Sequence, residues 1–223
     1  MDICDQEGYS VRLSRRACRV SIRVSPGRVL VTAPPGTDRE FINAFVASRE
    51  NWIKEKLAFF NDCSGPLPLT EVRDGTTLWL FGKEVSLQQV RNQPHPALQG
   101  DRLLLGSEWF SGGRLSQWLD DQLLQVVTSF AHSYSEKTGM SPERIRLGNA
   151  RTRWGSCNAG GVVMMNRKLV HAPLDVIEYV LIHELVHLRH RNHSRLFWGT
   201  LEQYLGEVKS QRKWLRLQGA LLI

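Results

Sequence analysis

The chain has 223 residues, 42% hydrophobic and 23% charged, which is enough apolar material for a buried core and excludes an intrinsically disordered chain. Its formal net charge of +7 favours anionic partners. The basic residues are nevertheless scattered rather than massed in one block, so charge alone does not make nucleic-acid binding the leading role.

In chain order, residues 9–33 read as paired strands. Val20, Ile22 and Val24 alternate with polar residues, as do Val29, Val31 and Ala33, and Ser25-Pro26-Gly27 supplies a turn. Thr37-Asp38-Arg39-Glu40 reads as a capping box with Thr37 at the cap. It opens one helix carrying Phe41, Ile42, Phe45, Val46, Trp52, Ile53 and Leu57 at helical spacing. The stretch Cys63–Pro68 ends that helix as a linker. Short strands follow at Leu78–Phe81 and Glu84–Val90, around Gly82-Lys83, with a further apolar run at Leu103–Leu105.

The second half differs. A long helix over Leu115–Tyr134 is closed by Gly139 and Pro142. Strands are expected at Ile145–Asn149 and Val162–Met165, with a loop from Gly155 to Gly161 between them. Pro173 suits the first turn of a helix reaching about His190. Ser194 starts another helix, with Phe197, Leu201, Leu205 and Val208 at core spacing. No internal repeat is visible. The expectation is an α+β protein: a β-rich region with one helix over 1–110, then a domain over 111–223 that carries the chemistry.

Cys4, Cys18, Cys63 and Cys157 are widely spaced and form no CxxC pair, which argues against a disulfide framework and against a four-cysteine zinc ribbon. The N-terminus lacks the apolar core of a signal peptide, and no run of 18 apolar residues could span a bilayer. A cytoplasmic protein without a membrane partner is expected.

The decisive segment is His183-Glu184-Leu185-Val186-His187. On a helix, histidines four apart lie about 6 Å apart along the axis and about 40° apart around it, so both imidazoles can reach one ion. Glu184 projects roughly 100° from His183, placed to take a proton from a metal-bound water rather than to join the ligands. A hydrolytic zinc site needs three protein ligands and an open position. Candidates for the third are His190, His193, Glu202 and Glu207. His193 is favoured provided Arg191-Asn192 turns the chain, giving the spacing HExxH-x5-H; Glu207 is the alternative from the next helix.

Trp154-Gly155-Ser156-Cys157, the strand ending Met165-Asn166, then Tyr179-Val180 and HELVHLRHRNHSRLFW over residues 183–198 resemble the YgjP-like metallopeptidase family, itself similar to the SprT-like and WLM zinc peptidases. The resemblance extends over most of residues 10–215. It implies a zincin-like domain over 111–223 with its active site on the HExxH helix, a Zn²⁺ cofactor, metal ligands at His183, His187 and His193, and Glu184 as catalytic acid/base.

Arg151 and Arg153 could hold a substrate carboxylate or phosphate, since guanidinium forks suit both. Val162–Met165 is a candidate edge strand for pairing an extended peptide. Cys157 reads as a packed thiol, His132 and His171 as surface or packing residues, and Tyr179 as core. A zinc peptidase acting on peptide or protein substrates is the leading reading. The alternatives are a nucleotide or phosphoester hydrolase using the same metal, and a nucleic-acid-associated protein with structural zinc.

Overall fold

The computed structural model describes residues 3–6, 8–25, 27–62, 72–111 and 113–222. The linker expected at Cys63–Pro68 and the turn residue Pro26 lie outside them, as do the side chains of Cys4 and Cys63. The structure is mixed α+β, and it divides into two compact units, residues 1–65 and 66–223.

The first unit is built on strands β1 (Ile3–Gln6), β2 (Tyr9–Leu13), β3 (Ser21–Ser25) and β4 (Arg28–Ala33). Their order is β1-β2-β4-β3, with β2 and β4 parallel and the outer pairs antiparallel. Val11, Val31 and Ala33 alternate onto one face and meet Ile42 in a small core. The single helix expected after Thr37 is two: α1 (Arg39–Ala47) and α2 (Glu50–Asp62). The cap also sits one residue later than expected. Asp38 accepts a hydrogen bond from the Glu40 backbone N–H, whereas the Thr37 hydroxyl donates to the Pro34 carbonyl.

The second unit begins with β5 (Thr77–Leu80), β6 (Lys83–Gln89), β7 (Ala97–Gln99) and β8 (Arg102–Leu105), ordered β5-β6-β8-β7. This is the strand order of the first sheet again, including the parallel central pair. The repeat is one of topology, with no repeated motif to betray it in the sequence. The boundary expected at 110 cuts across this arrangement, because Leu78, Leu87, Leu103 and Leu105 pack into the same core as the helices that follow.

Phe81 and Gly82, both with positive φ, form the two-residue turn between β5 and β6. Gly82 lies so close to Pro173 that a Cβ there would come within 2.8 Å of it, and the Phe81 N–H donates to Val170. The turn is thereby seated on the start of the site-bearing helix.

Helix α3 (Arg114–Thr138) ends in left-handed Gly139 and buries Leu115, Leu119, Leu123, Val127 and Ala131. Three strands follow: β9 (Arg144–Gly148), β10 (Gly155–Cys157) and β11 (Val162–Asn166), ordered β10-β11-β9. Two expectations are corrected here. Val162–Met165 is the central strand rather than an edge, and the supposed loop from Gly155 contains the edge strand, antiparallel to β11. On β9, the other end of this sheet, Arg144 and Arg146 are exposed while Ile145 and Leu147 turn inward. Helices α4 (Leu174–Val186), α5 (Arg195–Leu205), α6 (Lys209–Leu217) and α7 (Gly219–Leu222) complete the unit. Among the described residues no helix is long and apolar enough to cross a membrane.

Candidate metal centre

Helix α4 is apolar almost all round and buries Val176, Ile177, Val180, Leu181 and Leu185, so it runs through the core with only its last turn reaching the site. Pro173 is its N-cap. The helix stops at Val186, not near His190, and His187 is its C-cap. The reason is visible in the hydrogen bonds. The N–H groups of His187, Leu188 and Arg189 donate to the carbonyls of Glu184, Leu185 and Val186, three residues back, which tightens the final turn and redirects the chain. Ser194 then caps α5, its hydroxyl accepting from the Phe197 N–H.

His183, His187 and His193 converge, with one potential ligand atom from each and all these atoms within 4.8 Å of one another. The Nε2 atoms of His183 and His193 are 2.9 Å apart. His187 uses its other nitrogen, Nδ1, to donate to the His190 carbonyl at 3.0 Å, which leaves its Nε2 lone pair free for an ion. Beneath all three lies the ring of Phe197, fully buried, with centroids 4.6–4.9 Å from the imidazoles.

The donor set suits a divalent metal. Burial pushes His183 down to about 4, reinforced by its two histidine neighbours and by Arg212, and His193 is also lowered, first by burial. Both rings are therefore neutral at neutral pH, the form a metal requires. His183 Nδ1 is buried without a hydrogen-bond partner. Among the described residues this is the sole cluster of three or more metal-ligating side chains.

The other candidates for the third ligand are engaged elsewhere. His190 Nε2 meets the Thr200 hydroxyl at 3.1 Å, Glu207 pairs with Lys209, and Glu202 is exposed on α5. Cys157 lines the cavity beside the triad without joining the cluster, and burial raises its thiol pKa. Tyr179 is buried with its ring against His183. His171 is buried and bonds the Trp79 carbonyl, and His132 faces Glu136 on the exposed side of α3.

Glu184 is 8% exposed and lies outside the histidine cluster. Burial raises its carboxyl to about 7, opposed by the charge of Arg153 and by a hydrogen bond from the Cys157 backbone N–H. The carboxyl rests on Gly155, where a Cβ would stand 2.6 Å from Glu184 Cγ and 2.7 Å from Oε1. Gly155→Ala must therefore displace either the strand or the carboxylate. We expect it to lower kcat by about 100-fold, the scale of a misplacement near 1 Å, with metal content unchanged by elemental analysis. Near-normal kcat in that variant would show that the close approach has no catalytic consequence.

The chain leading into Gly155 is held by Asn166, which is completely buried. Its side-chain amide donates to the carbonyls of Ala150 and Arg153, its oxygen accepts from the Lys168 N–H, and its backbone N–H donates to Trp154. The loop entering β10 is thus pinned by one side chain. The cavity at the metal centre has a volume of about 420 Å³ and is lined by Arg153 and Arg191 among others. Arg151 does not line it. A larger cavity of about 720 Å³, within the first unit, is remote from the triad in sequence and contains none of it. Sequence reasoning placed Arg191 in the turn, Asn166 at a strand end and Phe197 in the core, but missed their places at the site and the contact of Gly155 with Glu184. Of these only Phe197, three residues after the Ser194 cap, carried a local signal of its position.

A family model described as "YgjP-like, metallopeptidase domain" matches residues 18–218. Among solved structures, the chain is similar to the metallopeptidase zymogen abylysin of Pyrococcus abyssi, with 20% identity over 41% of this chain and 95% of that one, at a TM-score of 0.37. It is also similar to the metallopeptidase zymogen jannalysin of Methanocaldococcus jannaschii, with 18% identity over 44% and 89%, at a TM-score of 0.36. No curated protein matches the chain.

Proposed function

Because the chain belongs to the YgjP-like metallopeptidase family, we propose that it is a zinc-dependent peptidase in which His183, His187 and His193 hold the metal and Glu184 is the general base. The observation that carries this reading is the separation of roles in the site: three imidazoles converge, while the one nearby carboxyl lies outside their cluster. When bound, zinc supplies Lewis-acid activation of water and of the scissile carbonyl.

The rest is the work of the chain. Glu184, buried and held near pH 7, is matched to accept a proton from the attacking water and return it to the leaving nitrogen. The Cys157 N–H and Arg153 keep its charged form accessible. His187 is oriented by the His190 carbonyl, and Phe197 fixes the ring planes.

An extended substrate has a strand to pair with. The Asn166–Trp154 and Asn158–Val162 hydrogen bonds set the alternation along β10, so Trp154, Ser156 and Asn158 face β11 while Gly155 and Cys157 turn their backbone polar groups outward, towards Glu184. A peptide could add there by backbone hydrogen bonding.

Two arginines at the rim favour a second reading, phosphoester hydrolysis on the same metal. Against it stands the single ligand cluster among the described residues, since phosphoryl transfer more often recruits Mg²⁺ or a second metal. The deciding experiment screens the zinc-loaded protein against peptide and nucleotide libraries, with and without chelator. Chelator-sensitive peptide cleavage is expected. Robust nucleotide hydrolysis that needs the histidines, with no peptide cut, would replace the peptidase with a phosphohydrolase.

A further inference from the structure

Arg153 and Arg191 come from different parts of the chain, one just before β10 and the other in the turn between His187 and His193. Both line the cavity that holds the three histidines and Glu184. Neither forms an ion pair among the described residues. The cavity lining contains no carboxylate besides Glu184. Apart from the Glu184 carboxyl, which Arg153 favours in its charged form, the two exposed guanidinium groups share a concave site with no protein anion to neutralise them.

The placement is also built. The Arg153 carbonyl accepts from the buried Asn166 amide at 3.0 Å, fixing the backbone from which that side chain projects. Arg191 is carried by the turn in which the His190 carbonyl accepts from His187 and the His190 ring meets Thr200. Neither arginine therefore depends on a free loop for its position.

We infer that Arg153 and Arg191 form an anion subsite beside the metal, which holds a carboxylate or phosphate group of the substrate next to the bond that is cut. The inference rests on the metal-hydrolase reading of the site but not on the bond being a peptide bond. Guanidinium forks bind either anion in paired, charge-assisted hydrogen bonds, so the two sources share one chemistry. An anion held there adds binding energy remote from the reacting atoms and orients the scissile group.

The test uses zinc-loaded protein carrying Glu184→Gln, so that bound substrate is not turned over. Calorimetry measures binding of inorganic pyrophosphate, of a peptide containing Asp, and of the same peptide with Asn. The measurements are repeated with Arg153→Gln and Arg191→Gln, singly and together, at two salt concentrations, after zinc content is checked. The subsite predicts that at least one anionic probe binds at least tenfold more weakly to the double variant. The Asn peptide changes less than twofold, Arg191→Lys restores part of the loss, and the salt dependence becomes shallower. If the double variant loses zinc, each single variant is read instead, with a loss of about threefold or more expected.

Equal binding of both anions to parent and variants at equal zinc content overturns the subsite, even if peptides are cleaved. Arginine-dependent pyrophosphate binding in an enzyme that cuts no peptide keeps the subsite and removes the peptidase reading. Arginine-dependent discrimination between the Asp and Asn peptides keeps both.

Discussion

Glu184→Gln is expected to abolish hydrolysis, leave the zinc in place and make the metal-free protein more stable. General-base catalysis is typically worth about 10²–10⁴ in rate, so kcat should fall by at least that range. Glutamine keeps the shape of the side chain but cannot take the proton.

The stability change follows from the same burial. In the folded protein Glu184 holds its proton up to about 7, against an ordinary value of 4.5. Between those values the folded state binds more protons than the unfolded chain, so its stability falls as pH rises. The penalty begins near pH 4.5 and is complete above pH 7. At about 1.4 kcal/mol per pH unit it is on the order of 3 kcal/mol.

His183, lowered to about 4, acts in the opposite direction over pH 4–6.5, but it is common to both proteins and cancels in the comparison. Urea denaturation of chelator-treated samples at pH 5 and pH 8 measures the difference. Glu184→Gln should gain little at pH 5 and most at pH 8. A variant that turns over substrate at the parental rate would remove Glu184 from the mechanism whatever its stability.

Loss of the metal is the second large effect. His183→Ala and His187→Ala should each lose zinc on purification and fall to background activity. His193→Ala should bind it much more weakly. Losing an outer hydrogen bond to a ligand costs about 10–100-fold in metal affinity, and losing the ligand itself should cost more.

Two controls sharpen this. His190→Ala removes a ring whose bond goes to Thr200 but keeps the backbone carbonyl that orients His187, so zinc should stay. Glu207→Ala removes only the partner of Lys209. Elemental analysis decides: full zinc in His193→Ala with loss in Glu207→Ala would move the third ligand to α6's approach and discard the triad.

What could be read from the sequence follows from where the signal is local. The spacing of His183, Glu184, His187 and His193 is written within eleven residues, and the geometry of one helical turn plus one chain reversal brings them together. Ser194 was legible for the same reason. The end of α4 was not, because whether a turn is α or tighter depends on whether the N–H groups of His187, Leu188 and Arg189 donate three or four residues back, a choice that residue spacing does not fix.

Strand β10 was read as a loop because Gly155-Ser156-Cys157 has no β-branched or alternating apolar pattern. It is a strand by virtue of pairing with β11, and that pairing in turn made β11 central. Gly155 and Asn166 matter through contacts with Glu184 and with the Ala150 and Arg153 carbonyls, 29, 16 and 13 positions away respectively. No window of sequence contains both partners and the reason for their contact. The shared topology of the two four-stranded sheets lies deeper still, since strand order is a property of pairing and leaves no repeated residues behind.

The sheet β10-β11-β9 ends in two edges, and an unpaired edge is a template on which a second molecule can polymerise. The two are treated differently. Arg144 and Arg146 stand exposed along β9, so a copy of the chain docking there edge to edge would bring cation against cation. Along β10 the outward backbone groups face a charged, recessed cavity rather than open solvent. The sheet is therefore guarded by charge against fibrous self-association at β9 and by the recess of the cavity at β10. Part of the chain's basic excess then has a colloidal role, keeping the molecule dispersed, and calls for no anionic partner.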